Sequence, residues 1–199
     1  MTTPATWVTP VTLDGSRVRL EPLEERHFDD LVTVAEDPAV FRWITNQPMD
    51  VGRLRAWFEQ TLGALAAGTE VPFATIDRES DRAIGSTRFM TITPEHRRLE
   101  IGWTWLGTAY QQTGANREAK YLQLRHAFES LDAERVEFKT HARNERSRGA
   151  LLGIGATFEG VLRHHTIMPD GSNRDSAFYS VLAGEWPGVK ARLEALLAR

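Results

Sequence analysis

Apolar positions along this chain recur with two periods, and the alternation between them lays out the elements. Phe28, Leu31, Val32 and Ala35 fall at i, i+3, i+4 and i+7, which predicts an amphipathic helix ending before Pro38. Asp50 is placed to cap a second helix with the buried stripe Leu54, Trp57, Phe58, Leu62 and Leu65. Three strands follow, Val71–Asp77, Ala83–Thr93 and Arg98–Leu106. The first two are joined by the polar turn Arg78-Glu79-Ser80-Asp81, and the next link carries Pro94. Upstream, Val11–Leu13 and Arg17–Leu23 flank Asp14-Gly15, a pair suited to the positive φ values of a tight hairpin. A third helix is expected from Gly114 to Leu131, with Tyr121, Leu124, Ala127, Phe128 and Leu131 on its core side. Then come a strand over Arg135–Thr140 and a helix over Asn144–Ile154 stopped at Gly155. A strand pair over Thr157–Ile167 and Ser176–Leu182 follows, and a last helix starts near Pro187. Strands grouped together with helices interspersed predict an α/β (α+β) sandwich on a mixed sheet, not a doubly wound parallel one.

Composition narrows the setting. The 199 residues are expected to form one domain, 1–199, since no repeat or linker-like stretch divides them. A formal charge of −3 speaks against a broad electrostatic grip on nucleic acid or an anionic membrane. The absence of cysteine removes disulfides, thiolate metal sites and a covalent thiol mechanism, and it fits a reducing cytoplasm. The stretch Met1–Trp7 lacks the basic start and apolar core of a secretion signal, and no apolar run approaches spanning length. A cytoplasmic protein is expected. His164 and His165 lie next to each other on a strand and should face opposite ways, so no metal site is expected.

The chemistry concentrates where the strand Leu99–Leu106 passes through Gln111-Gln112-Thr113-Gly114-Ala115-Asn116 into the third helix. A helix start aims unpaired N–H groups and a positive dipole end into the turn, where a pyrophosphate can sit. Arg117 and Lys120 oppose that dipole; a nearby phosphate would relieve the conflict, and a solvated face is the other reading. Four pieces now stand in order: Glu100-Ile101-Gly102-Trp103 with Gln111–Asn116; Asn144-Glu145-Arg146-Ser147; Gly155-Ala156-Thr157-Phe158-Glu159-Gly160; and Asp170-Gly171 with Arg174-Asp175 and Tyr179. On these the chain resembles the GNAT superfamily of acyl-CoA N-acyltransferases, and within it the RimJ/RimL-like branch that acetylates ribosomal-protein N-termini. One position departs: the phosphate turn of the superfamily reads Gln/Arg-x-x-Gly-x-Gly/Ala, and Asn116 stands at the last small position.

The resemblance implies a mostly antiparallel twisted sheet with a V-shaped splay between two central strands and helices on both faces. It implies acetyl-CoA as cosubstrate, with pantetheine bonded by backbone groups of Trp103, Thr104 and Trp105, one N–H there steadying the oxyanion. Gln111, Gln112, Thr113, Gly114, Ala115, Asn116 and Arg117 would hold the pyrophosphate. Asn144 would contact the cosubstrate while also capping its helix, and Ser147 would lie near the sulfur as a proton donor. Glu100 is the expected general base, with a solvent-facing strand charge as the other reading. No tyrosine acid is expected, because the fourth helix has none and Tyr110 and Tyr179 lie elsewhere. Arg174, Asp175 and Tyr179 read as a structural network. The segments Phe41-Arg42-Trp43 and His164–Arg174 should flank the acceptor slot, and they offer cations and aromatics but no acidic cluster to attract polyamines. The expected activity is acetyl transfer to a primary amine, a protein or peptide α-amine or a small-molecule amine, by direct attack in a ternary complex. Two other readings stand beside it: a non-catalytic CoA-binding sensing or scaffolding module, and a nucleotide-binding regulatory domain. Such domains often pair, so a homodimer is compatible with the resemblance.

Overall fold

Eight strands form one sheet in the order β1-β2-β3-β4-β5-β6-β8-β7, antiparallel at every junction except β5–β6. The computed structural model describes residues 7–44 and 50–199. The segment 1–6, over most of which the secretion-signal reading ran, lies outside them. The strands are β1 (Leu13–Asp14), β2 (Val18–Pro22), β3 (Val71–Asp77), β4 (Ala83–Thr93), β5 (Arg98–Leu106), β6 (Arg135–His141), β7 (Thr157–Ile167) and β8 (Asn173–Leu182). The helices are α1 (Phe28–Ala35), α2 (Val51–Ala66), α3 (Ala115–Glu129), α4 (Glu145–Ile154) and α5 (Trp186–Leu197).

Each face of the sheet carries its own apolar core. On one face Leu99, Ile101 and Leu106 pack with Ala115, Ala119, Leu122, Leu124 and Ala127 of α3 and with Val189 and Leu193 of α5. On the other, Phe28 and Leu31 of α1 join Leu54, Trp57 and Phe58 of α2 over Ala74, Ile76 and Trp105. Ile101 and Leu106 are five residues apart, a spacing that regular alternation cannot place on one face. A bulge resolves it: Ser86 pairs with Trp105 and Arg88 with Gly102, so Thr87 alone opposes Trp103 and Thr104. The extra residue is Trp103, held at φ 49°.

The central feature is where two strands part. β5 and β6 pair in parallel only at Arg98↔Arg135, Leu99↔Val136 and Glu100↔Glu137. Beyond Glu100, β5 stays zipped to β4 as far as Gly85↔Leu106, and β6 stays zipped to β8 as far as His141↔Ser176. Each strand follows its outer neighbour, so a V opens between them, as the resemblance implied.

The β1–β2 turn differs from its expected form. Gly15 is not at positive φ; instead a Cβ there would meet the Glu118 carboxylate at 2.6 Å and the Val18 carbonyl oxygen at 2.7 Å. Glu118 of α3 accepts from the backbone N–H groups of Ser16, Arg17 and Val18 at 2.9, 2.7 and 2.7 Å and from the Ser16 hydroxyl at 2.7 Å. Glycine is present so that a carboxylate can approach, not to set a dihedral angle. The buried face of α3 is wider than expected: Leu124 and Ala127 are buried, and Tyr121, Phe128 and Leu131 pack partly buried against the same core. Glu118, Lys120 and Gln123 are buried, while Tyr121 is half-exposed and its hydroxyl donates to Glu194 at 2.8 Å. Among the described residues no helix is long and apolar enough to cross a membrane.

Candidate active site

The V encloses a cavity of about 220 Å³. Its walls are Glu100–Thr104 of β5, Phe138–Thr140 of β6, Lys120 of α3, Asn144, Ser147 and Leu151 at the mouth of α4, and Trp43, Ile44, Thr166 and Arg174 on the remaining side. Glu100 is 5% exposed, and its Oε2 lies 3.3 Å from Lys139 Nζ and 3.4 Å from Thr91 Oγ1. The solvent-facing reading of Glu100 is therefore excluded. Its position follows from register: it is the last β5 residue paired to β6, so its side chain stands at the vertex of the V.

Asn144 caps α4 as expected, its Oδ1 accepting from Ser147 N–H at 3.1 Å. Asn144 and Ser147 both line the cavity. Trp103 and Thr104 line it too, whereas the Trp105 ring is buried against Phe41 and Trp57 at 5.1 and 5.7 Å between centroids. None of the chain's three tyrosines lines the cavity; Tyr179 is fully buried and its hydroxyl accepts from Arg148 Nε at 3.0 Å.

Lys120 came into this cavity against expectation, whereas Arg174 reaches it from a segment expected to flank the acceptor slot. Lys120 is neither at a phosphate nor solvated. Its Nζ donates to Thr104 Oγ1 at 2.6 Å, Thr87 Oγ1 at 3.1 Å and Gln123 Oε1 at 3.2 Å, three neutral oxygens. Burial pushes its pKa down to about 7. The signal was legible, since Lys120 precedes Leu124 by four residues and Ala127 by seven, on the same helical stripe. Arg174, read as part of a structural network, is 8% exposed and turns into the cavity, its Nη1 donating to the Trp43 carbonyl at 3.3 Å. That bond joins the two segments expected to flank the acceptor slot, across 131 residues of chain.

The predicted phosphate turn lies outside the V, around a second concavity of about 200 Å³. Gln112, Thr113, Gly114 and Arg117 line it together with Arg17 and Arg199, two cations that sequence reasoning did not single out. Gln112 stands at φ 64° and Gly114 at φ 95°, the latter as N-cap of α3, so the turn enters the helix through left-handed backbone that glycine adopts without strain. Gln111 braces the turn, its Nε2 donating to the Leu106 carbonyl at 3.0 Å and its Oε1 accepting from Arg146. Ala115 is buried, and Arg117 donates to the Leu196 carbonyl at 3.3 Å. The Asn116 Oδ1 is buried without a hydrogen-bond partner among the described residues. On the β7 side, His164 stands at φ 48° where the β7–β8 register shifts, so simple alternation does not govern the histidine pair. Among the described residues no group of three or more His, Asp or Glu could hold a metal ion.

A strand splay beside two helix mouths, with a bulged strand on one wall, is the architecture of an acyltransferase. The acetyltransferase (GNAT) domain model matches residues 17–157, and the chain belongs to that family. It is an acetyltransferase, of a family that uses acetyl-CoA. The uncharacterized N-acetyltransferase p20 of Bacillus licheniformis is 29% identical over 178 residues, covering 89% of this chain and 99% of that one. A crystal structure of a candidate acetyltransferase from T. thermophilus is 45% identical and superposes with a TM-score of 0.87 over 96% of this chain and 99% of that one. Mycobacterium smegmatis RimJ, solved in complex with CoA-disulfide, shares the fold at 23% identity and a TM-score of 0.81, over 94% and 95% of the two chains.

Proposed function

We propose that this protein transfers the acetyl group of acetyl-CoA to a primary amine by direct attack in a ternary complex, as a single cytoplasmic domain. The observation that carries the reading is the parting of β5 and β6 at Glu100. Past that residue the backbone of Ile101–Thr104 borders the cavity with no β6 ladder, so its N–H and C=O groups stand as an interior strand edge. A chain of amides such as pantetheine can pair with such an edge, as an added strand would. The turn Gln111–Asn116 and the first N–H groups of α3 suit the pyrophosphate, with Arg17, Arg117 and Arg199 around it. The CoA-disulfide bound to Mycobacterium smegmatis RimJ, which shares this fold, supports a CoA donor here.

The reaction forms one N–C bond and breaks one C–S bond, and the ammonium must shed a proton before attack. Glu100 takes that proton, directly or through one water, in a cavity where it is the only carboxylate among the described residues. An α-amine titrates near 7.7–8.0 and lysine near 10.4, so a carboxylate suffices for the former and is poorly matched to the latter. A backbone N–H at the Trp103 bulge faces charge developing on the carbonyl oxygen, and Ser147 orients the departing thiolate or a water.

Glu100→Gln is expected to lower kcat/KM about 100-fold at neutral pH, with partial recovery at high pH where the amine is already neutral. A steady-state thiol-release assay across pH checks this, and an unchanged rate removes Glu100 from the mechanism. Rapid mixing that trapped an acetylated enzyme would exclude direct attack. Asn116 in place of a small residue and the missing tyrosine also suit a non-catalytic CoA-binding module, which tight acetyl-CoA binding without turnover over a broad amine panel would establish.

A further inference from the structure

Four ionisable side chains line the cavity: Glu100, Lys120, Lys139 and Arg174. The carboxylate is engaged by Lys139 at 3.3 Å, and Lys120 is satisfied by three neutral oxygens. Arg174 is the remaining cation. It is 8% exposed, yet its Nε has no hydrogen-bond partner among the described residues. Directly across the β7–β8 ladder stands Thr166, and its Oγ1 is also buried without a partner among the described residues. Both residues line the same cavity, the two unpaired atoms lying just beneath its surface. Two adjacent buried donors, one on a guanidinium, left without acceptors are a strong departure from normal satisfaction. The Glu100 charge acts on Arg174 without bonding its Nε, so what the two donors lack is an oxygen-bearing acceptor, and a carboxylate fits that need.

The wall they occupy decides which substrate brings it. Arg174 is tied to the Trp43 carbonyl, so this wall is built from β7, β8 and the segment before α2. α3, which begins at the phosphate turn, and Leu151 of α4 pack in the core on one face of the sheet, whereas Phe41, two residues before Trp43, packs in the core on the other. The donor arrives from the phosphate side, which leaves the Arg174 wall to the acceptor. We infer that Arg174 and Thr166 form a carboxylate subsite, so that the acceptor is an amine bearing a carboxylate close enough to share one cavity with it. This rests on the acetyl-transfer reading above and specifies its substrate. The chemistry is common to a free α-amino acid and to a peptide whose first residue is Asp or Glu.

The test is a set of matched acceptors with and without the carboxylate, their rates referred to the fraction of neutral amine each holds at the assay pH. Free amino acids are compared with their α-amides, and peptides beginning with Asp or Glu with those beginning with Asn or Gln. The wild-type protein should favour the carboxylate member of one set by on the order of 10- to 100-fold in kcat/KM, and the set that responds identifies the source. In Arg174→Gln the ratio should fall to within about threefold of unity. Arg174→Lys should fall between, because the ammonium lacks the fork. Thr166→Val should lose part of the preference, about three- to tenfold, and carries the test should the arginine variants fail to fold. A wild-type ratio near unity overturns the subsite, as does a ratio unchanged in every variant. A preference that instead follows a carboxylate on the acyl group, succinyl-CoA over acetyl-CoA, overturns its assignment to the acceptor. Thermal shift separates the two levels of the proposal. Stabilisation by acetyl-CoA without any carboxylate preference fails the subsite alone, while no stabilisation by acetyl-CoA fails the donor reading. Should no amine in the sets turn over, the same matched compounds added to the CoA-bound protein decide the matter. Carboxylates that raise Tm no more than amides, or raise it equally in Arg174→Gln, overturn the subsite.

Discussion

Replacing Glu118 with glutamine is expected to lower stability by about 2–4 kcal/mol and to abolish the thermal shift produced by CoA. The carboxylate is 5% exposed and gathers three backbone N–H groups and a hydroxyl from the β1–β2 turn. An amide has the same shape but only one accepting oxygen, so its Nε2 would face donors and leave at least one N–H unpaired. The loss should reach function because the same contacts fix the start of α3. Arg17 lies in that turn, and its side chain passes within 3.6 Å of the position a Cβ on Gly114 would take. Burial by itself would raise the carboxyl pKa, but the Ser16 hydroxyl and the N–H groups of Val18, Arg17 and Ser16 outweigh it and hold it below the usual range. With the folded pKa depressed, the stabilisation is complete above the unfolded value and is lost as pH falls through the folded one. Urea denaturation from about pH 7 down to about pH 3 should show a steeper acid loss for the wild type than for Glu118→Gln. Equal midpoints for the two proteins at neutral pH would show that the carboxylate contributes nothing.

The second large effect is a rise in stability toward alkaline pH, carried by Lys120. Its amine is fully enclosed and its folded pKa lies at about 7, against 10.5 for the ordinary side chain. Between those values the unfolded chain holds a proton that the folded chain has released, so unfolding takes up protons and stability climbs with pH. The climb is about 1.4 kcal/mol per pH unit and at most about 5 kcal/mol over the whole window, the figure for a single site. Below about pH 7 both states hold the proton and the burial penalty is felt in full. Lys120→Met should remove the slope. It should also be more stable than the wild type at about pH 6, unless stranding Thr87, Thr104 and Gln123 costs as much as the buried charge. Denaturation midpoints measured from about pH 6 to about pH 9.5 for the two proteins give the slope by difference, and parallel curves would overturn the assignment.

Lys120 and Glu118 sit two residues apart on one helix, and both show how far periodicity reaches. The stripe that placed Leu124 and Ala127 in the core already ran through Lys120, but the residue type argued for solvent. The role of Glu118 is not legible locally, because its partners lie about one hundred residues away in the chain. The bulge at Trp103 was hidden for a related reason. A continuous apolar run gives no sign of where one extra residue shifts the alternation, and the shift is set by how β4 and β5 pair.

Sequence alone determined the element order, the helix caps at Asp50 and Asn144, the strand bounds of β3, β4 and β5, and the family, because capping, alternation and motif spacing are local properties. It also marked Glu100 near the start of its strand, while the end of the β5–β6 ladder at that residue put it at the vertex. Tertiary structure alone decided what surrounds that carboxylate. Lys139, Lys120, Thr166, Arg174 and Trp43 come from five separate segments, and they meet only because β5 and β6 each follow a different neighbour. The electrostatics of a cavity belong to the charges that converge on it, and convergence is a product of long-range pairing that no short stretch of chain encodes.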